Sequence, residues 1–222
     1  MLDFMNGINR CSGVLAATIL TLGLSLLPPL AATAQAAGPV ERHGWGAGVA
    51  YGVGSADVTF KSTDPQTGYS RGASPQFRIG KMVGRRIMIG LEDRQWMNEG
   101  GLGDEKVRAN FQNFNVVLTV YPGRASDLTS GFFLQTGAGI AHARTSVLEP
   151  IPGGNEWGET FEVVGKLDES GSGFMVGAGY EVRVSSHLAV GVTTSFNSLT
   201  FDGKIFDQVK FFPGGLNLNW YF

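Results

Sequence analysis

Arg78, Glu92, Arg94, Glu181 and Arg183 are charged residues set one position away from apolar ones, as in Phe77-Arg78-Ile79 and Glu181-Val182-Arg183. In an extended chain successive side chains point to opposite faces, so these charges share a face with polar and small residues. Gathered on one inner face, they could gate a solute path or fill a narrow interior as an ion-pair network. Either use requires pairing, because an uncompensated charge out of water costs several kcal/mol. His142, Ser146 and Glu149 are the one set whose types could supply a base, a nucleophile and an orienting carboxylate for acyl transfer. His187 abuts a short turn and His43 precedes the first strand, so neither offers a second set. The acidic residues of the longer connections show no ligand spacing of the EF-hand kind, and no metal or cofactor is expected.

Strands must position these residues. The chain ends Leu216-Asn217-Leu218-Asn219-Trp220-Tyr221-Phe222, which alternates apolar with polar up to a terminal aromatic. Leu216, Leu218, Trp220 and Phe222 then form one face and Asn217, Asn219 and Tyr221 the other, as in a wall with lipid outside and a polar lumen inside. From Gly44 to Gly54 the even positions are all glycine or alanine, and the odd positions carry Trp45, Val49, Tyr51 and Val53. Such a strand sends its bulk outward and leaves the lumen to its neighbours.

The same alternation predicts seven further strands, at about 74–83, 86–96, 107–121, 131–144, 172–184, 187–199 and 209–222. Pro213 removes one ladder hydrogen bond and predicts a bulge before Gly214-Gly215. Short connections near 84–85, 122–130 and 185–186 alternate with long ones at about 60–71, 97–106, 145–171 and 200–208. Eight strands so joined predict an all-β fold, an antiparallel up-and-down transmembrane barrel with short turns and both termini on the periplasmic side. Strands of ten to fifteen residues exceed the ~9–11 needed to cross, so their upper ends should stand clear of the membrane. Because an eight-stranded interior is just wide enough for side chains, the charged residues are expected to fill it. Trp45, Phe132, Tyr180, Trp220 and Phe222 are assigned to the periplasmic interface, and Phe60, Trp96 and Phe174 to the outer one. Trp157 lies in the longest connection and reads as a surface contact residue or as packing on Phe161 and Val163.

Residues 1–36 read as a signal peptide, with Arg10 before an apolar run from Val14 to Leu30 and Ala34-Gln35-Ala36 as a small-x-small cleavage site. Residues 37–222 then form one barrel domain. The lone cysteine, Cys11, precedes the apolar run and leaves with the leader, so no disulfide or thiolate site is expected. Glycine makes up 33 of 222 residues, roughly twice its average usage, yet it alternates with apolar residues instead of forming flexible tracts. A formal charge of −2 offers no basic face for nucleic acid.

Phe132 to Arg144, Gly177-Ala178-Gly179-Tyr180-Glu181-Val182-Arg183 with its Ser-Ser-His-Leu turn, and the terminal Trp220-Tyr221-Phe222 resemble the small eight-stranded outer-membrane barrels. That group includes the opacity-type proteins, outer membrane protein W and the membrane domain of outer membrane protein A. The resemblance spans the mature chain, without a following peptidoglycan-binding domain. It implies secretion to the periplasm, cleavage near Ala36/Ala37 and residence in the cell outer membrane as a monomer. The implied partners are outer-membrane lipid and lipopolysaccharide, periplasmic chaperones and the barrel-assembly machinery. Leu216, Leu218, Trp220 and Phe222 would be the assembly signal. The expected role is structural or surface-interacting, with a narrow conduit for small or apolar solutes as the alternative and a lipid-modifying enzyme third. His142, Ser146 and Glu149 lack the His-x-Ser spacing of the lipid A 3-O-deacylases, which argues against the third.

The leader assignment predicts a mature protein that begins at Ala37. Intact mass of the purified outer-membrane species checks it, and a product retaining residues 1–36 contradicts it.

Overall fold

The computed structural model describes residues 42–61, 67–102, 105–123, 131–150 and 161–222. The leader with its cleavage site, and Trp157, lie outside these residues. Eight strands follow in chain order: β1 (Trp45–Phe60), β2 (Thr67–Met82), β3 (Ile87–Leu102), β4 (Glu105–Val120), β5 (Phe132–Pro150), β6 (Phe161–Arg183), β7 (Leu188–Phe201) and β8 (Phe206–Tyr221). Each pairs antiparallel with its sequence neighbours, and β1 pairs with β8 to close the barrel. Closure leaves no edge at the level of the β1–β8 seam, where Trp45 N–H donates to Phe222 O at 2.6 Å and Phe222 N–H to Trp45 O at 2.8 Å.

The strands are longer than the alternation alone indicated, from 14 residues in β7 to 23 in β6. Much of what reads as connection is ladder: β5 and β6 pair up to Pro150↔Phe161, and β3 and β4 up to Leu102↔Glu105. The glycines, serines and charges of these segments hide their strand character, because their polar side chains face water on an extension with no apolar outer face. The β7–β8 connection shrinks to residues 202–205. Pro213 makes no bulge. Gly54↔Pro213 sits in an unbroken β1–β8 register, whose one shift falls at Thr59/Phe60. Toward β7 the pairing lapses between Thr194↔Gly214 and Asn197↔Phe211 and resumes in the same register, so the missing N–H costs bonds without adding a residue.

The lower part of each strand behaves as the alternation requires. Val49, Tyr51, Phe77, Ile89, Leu91, Val116, Leu134, Phe174, Leu216, Leu218, Trp220 and Phe222 are exposed on the outside, while Asn113, Asn115, Thr119, Gln135, Asn217 and Asn219 are buried inside. On β1 the eight steps from Trp45 to Val53, at about 3.3 Å each and inclined by about 40°, make a belt roughly 20 Å tall. The inward glycine Gly48 makes room as foreseen: a Cβ there would strike the Asn219 side chain and lie 3.3 Å from Arg78 Nε.

Higher up, the polarity of the wall reverses while the side-chain parity stays the same. On β3 the outward row runs Ile87, Ile89, Leu91 and then Asp93 and Gln95. The inward row runs Glu92, Arg94 and then Trp96. On β4 the inward Asn115 and Asn113 give way to Phe111, and the outward Phe114 to Gln112 and Asn110. The inside of the upper barrel is accordingly an apolar core of Trp96, Phe111, Phe201, Phe206 and Phe211 with Leu199, Val209, Val58 and small residues of β1 and β5. This corrects the assignment of Trp96 and Phe60 to an outer lipid girdle. Trp96 is 1% exposed, stacks on Phe111 at 5.7 Å and donates its indole N–H to Gly54 O at 3.2 Å; Phe60 packs against the same core. Both lie above the belt, where water surrounds the wall and bulk belongs inside.

Trp96→Ala should therefore destabilise the folded barrel by about 3–5 kcal/mol, the cost of emptying a packed aromatic site. Urea unfolding of the refolded protein measures it. A lipid-facing girdle residue leaves no internal cavity when truncated and would give a smaller loss.

Candidate functional site

The lumen carries the charged residues in two groups. The lower group centres on Glu181 of β6, whose carboxylate is fully buried. Oε1 accepts from Arg42 Nε at 3.1 Å and Nη2 at 3.0 Å and from the Tyr221 hydroxyl at 2.7 Å. Oε2 accepts from Asn219 Nδ2 at 2.9 Å and lies 3.9 Å from Arg78 Nη2. Arg78 in turn donates to Asn219 Oδ1 at 2.8 Å, and the Tyr121 and Tyr221 hydroxyls are 3.0 Å apart. Phe133, Tyr121, Met82 and Met88 wall this group with apolar surface, and the guanidinium groups of Arg42 and Arg78 lie over the Tyr121 and Phe133 rings.

The upper group is Glu92 and Arg94, 2.9 Å apart on the same face of β3. Arg94 spreads its remaining donors onto Gln76 Oε1 at 2.7 Å and onto the Ser195 hydroxyl. The side chains of Asn113, Asn115 and Gln135 are buried at the same level, where Gln135 Nε2 donates to Thr119 Oγ1 at 3.3 Å. The apolar core lies directly above it.

Of the five charges that the alternation singles out, the structure thus puts four inside, as two separate clusters. Arg183 stands at the rim instead, where it donates to Ser186 O at 2.6 Å and lies over the Tyr221 ring. Sequence reasoning missed Arg42. It precedes β1 and has no strand register, yet it is 4% exposed inside the barrel mouth. Gly44, with φ +78°, makes the turn that sends it there; a Cβ at Gly44 would collide with the Phe222 carbonyl. The single signal was a glycine two residues after an arginine at the start of the first strand.

The hydrolase set does not assemble. Four steps of extended β5 put Ser146 about 13 Å from His142, and the Glu149 side chain lies outside the described residues. His142 Nδ1 instead meets Ser170 Oγ at 3.2 Å, both exposed on the outer wall. Above them on that wall Arg144 Nε donates to Asp168 Oδ1 at 2.8 Å and Lys166 Nζ lies 3.2 Å from Oδ2. The hydrogen bond from Arg144, and next that from Lys166, hold the Asp168 carboxyl below the usual carboxylate range. Leu216, Leu218, Trp220 and Phe222 all face outward at the seam with β1.

A closed antiparallel barrel of eight strands, apolar outside its lower half and packed within, defines the class: it is the architecture of the small eight-stranded outer-membrane barrels. Among solved structures, Ail, the attachment invasion locus protein of Yersinia pestis, is similar at 12% identity and a TM-score of 0.47, over 81% of this chain and 99% of that one. Neisserial surface protein A is similar at 16% identity and 0.42, over 78% and 97%. The N-terminal β-barrel domain of Pseudomonas aeruginosa OprF is similar at 12% and 0.44, over 82% and 100%. These are likenesses of architecture. No protein-family model and no curated protein sequence matches the chain.

Glu181→Ala should destabilise the barrel by about 3–5 kcal/mol, because it leaves two buried guanidinium groups without their carboxylate. Glu92→Ala should cost less, since Arg94 keeps Gln76 and Ser195. Denaturant midpoints of the two refolded variants provide the check. Equal midpoints would show that Glu181 is not the centre of the lumen network.

Proposed function

We propose that the chain is an integral barrel of the bacterial outer membrane that acts as a structural and surface-interacting element of the envelope, with a lumen closed to solutes. The observation that carries this reading is the filling of the interior at two levels, by the Glu181 cluster below and by the aromatic core around Trp96 and Phe111 above. A conduit would have to disrupt both. Lipid modification is disfavoured because, among the described residues, His142 is hydrogen-bonded to Ser170 and not to a carboxylate that would orient the imidazole. On this reading the lower belt contacts lipid and lipopolysaccharide, the monomer reaches the membrane through periplasmic chaperones and the barrel-assembly machinery, and the outward row ending at Phe222 is the signal read in assembly. Function then resides on the outer wall and on the ends of the long β3–β6 strands.

Cysteine labelling on whole cells tests orientation, since Cys11 leaves with the leader. An impermeant reagent should modify Asp202→Cys and spare Ser185→Cys. The purified protein in planar bilayers should show no conductance steps. Labelling at position 185 with silence at 202 inverts the barrel, and regular conductance steps favour the conduit.

A further inference from the structure

Arg42 reaches the lumen from outside the sheet. The backbone ladder ends at Gly44, whose carbonyl accepts from Met82 N–H at 2.9 Å, and the positive φ of Gly44 sends the chain before it back into the lower mouth. The guanidinium then enters a place made by other parts of the barrel. Its Nε and Nη2 both donate to Glu181 Oε1, at 3.1 and 3.0 Å, so one edge of the planar group meets one carboxylate oxygen. Its central carbon lies over the Tyr121 ring, 3.9 Å from the centroid. Tyr221 closes the remaining side, and it stands so near β1 that a Cβ at Gly46 would lie 3.2 Å from its ring.

The groups that receive Arg42 hold one another. Glu181 accepts from the Tyr221 hydroxyl at 2.7 Å and from Asn219 Nδ2 at 2.9 Å, and Arg78 lies 3.9 Å from its second oxygen. Tyr121 follows β4, donates its N–H to Arg86 O at 2.8 Å and packs on Phe133 at 5.8 Å. Arg78 lies over the Phe133 ring and Arg183 over the Tyr221 ring, which leaves the Tyr121 face to Arg42. A carboxylate, a ring face and a hydroxyl are thus fixed by β6, β8 and the end of β4, while their occupant hangs from the chain ahead of β1. That is the arrangement of a receptor and a tethered ligand, in which the tether supplies a local concentration that a dilute solute does not match. The fit selects a guanidinium. An ammonium is a compact, strongly hydrated charge without the flat face and rigid donor fork, and a urea has the shape without the charge that a buried carboxylate requires.

We propose that the lower mouth is a guanidinium-binding site, which the chain fills with its own Arg42 and which takes a guanidinium group from solution once Arg42 is removed. The ligand class is a monosubstituted guanidinium, the group that ends an arginine side chain. Glu181 supplies the countercharge, Tyr121 the stacking face, and Tyr221 holds the carboxylate in place. Arg42 is then a removable stopper and not a part of the wall. The site does not depend on which end of the barrel faces the periplasm, so the cysteine labelling and the binding experiment succeed or fail separately.

The experiment uses Arg42→Ala, refolded in zwitterionic detergent at constant ionic strength, and follows the thermal midpoint of its heat-modifiable form. Ethylguanidinium consists of the atoms that this substitution removes. At millimolar concentrations, far below those that denature, it should raise the midpoint in step with the logarithm of its concentration. Ethylammonium should need several-fold more for the same rise, and ethylurea should give none. Wild-type protein, whose site is filled, should respond to none of the three. R42A/E181Q should not respond either, because the countercharge is gone. If Arg42→Ala folds too poorly to melt, its refolding yield with each of the three compounds gives the same comparison. Absence of a response of Arg42→Ala to ethylguanidinium overturns the proposal, whatever the variant's own midpoint. An equal rise with ethylammonium or ethylurea, an equal rise of wild-type protein, or a rise that survives in R42A/E181Q overturns it as well.

Discussion

Along the strands of this barrel the pleat keeps its parity except at the register shifts of Thr59/Phe60 and Val147/Leu148, while the medium on the two sides of the wall changes with height. A residue therefore cannot choose its face. Its polarity must match whatever surrounds that face at that level. In the lower half the outside calls for bulk and the inside for groups that can be paired. Above the belt the outside is wet, so the same inward row that carries Glu92 and Arg94 ends in Trp96. The upper barrel is thus built like a water-soluble one, with an apolar core inside a polar coat, and it shares its strands with a lower barrel built the other way.

Filling follows from closure. Eight strands enclose a space of side-chain width, and buried charges within it must find partners. Glu181 does this by collecting donors from distant parts of the chain: Arg42 ahead of β1, Arg78 of β2, and Asn219 and Tyr221 of β8. The small inward residues of β1 make that gathering sterically feasible. The network ties the beginning and end of the barrel to the same carboxylate, beside the β1–β8 seam where the sheet closes.

With the lumen packed at two levels, the accessible charged side chains are those of the outer wall and the strand ends. The residues with unspent chemistry lie on the outer wall, where Arg108, Arg144 and Lys166 stand in rows above the belt and His142 meets a serine.

The alternation was enough to establish an eight-stranded up-and-down barrel, the inward and outward faces of its lower half, and the inward direction of Arg78, Glu92, Arg94 and Glu181. These follow from a period of two, which is local. The upper core was only partly legible: parity already sets Trp96 on the inward row of Glu92 and Arg94, but its residue type points to an interface girdle, and that the interior turns apolar at this height depends on which side chains the closed barrel brings together. Strand ends were missed for the same reason: where both faces are polar or small, the pattern carries no contrast. Arg42 lay outside every periodic segment, and its place depends on the Gly44 turn meeting Phe222 across the closed seam. Which charge pairs with which was likewise decided by the tertiary structure, since register and closure bring residues 139 positions apart, Arg42 and Glu181, to hydrogen-bonding distance.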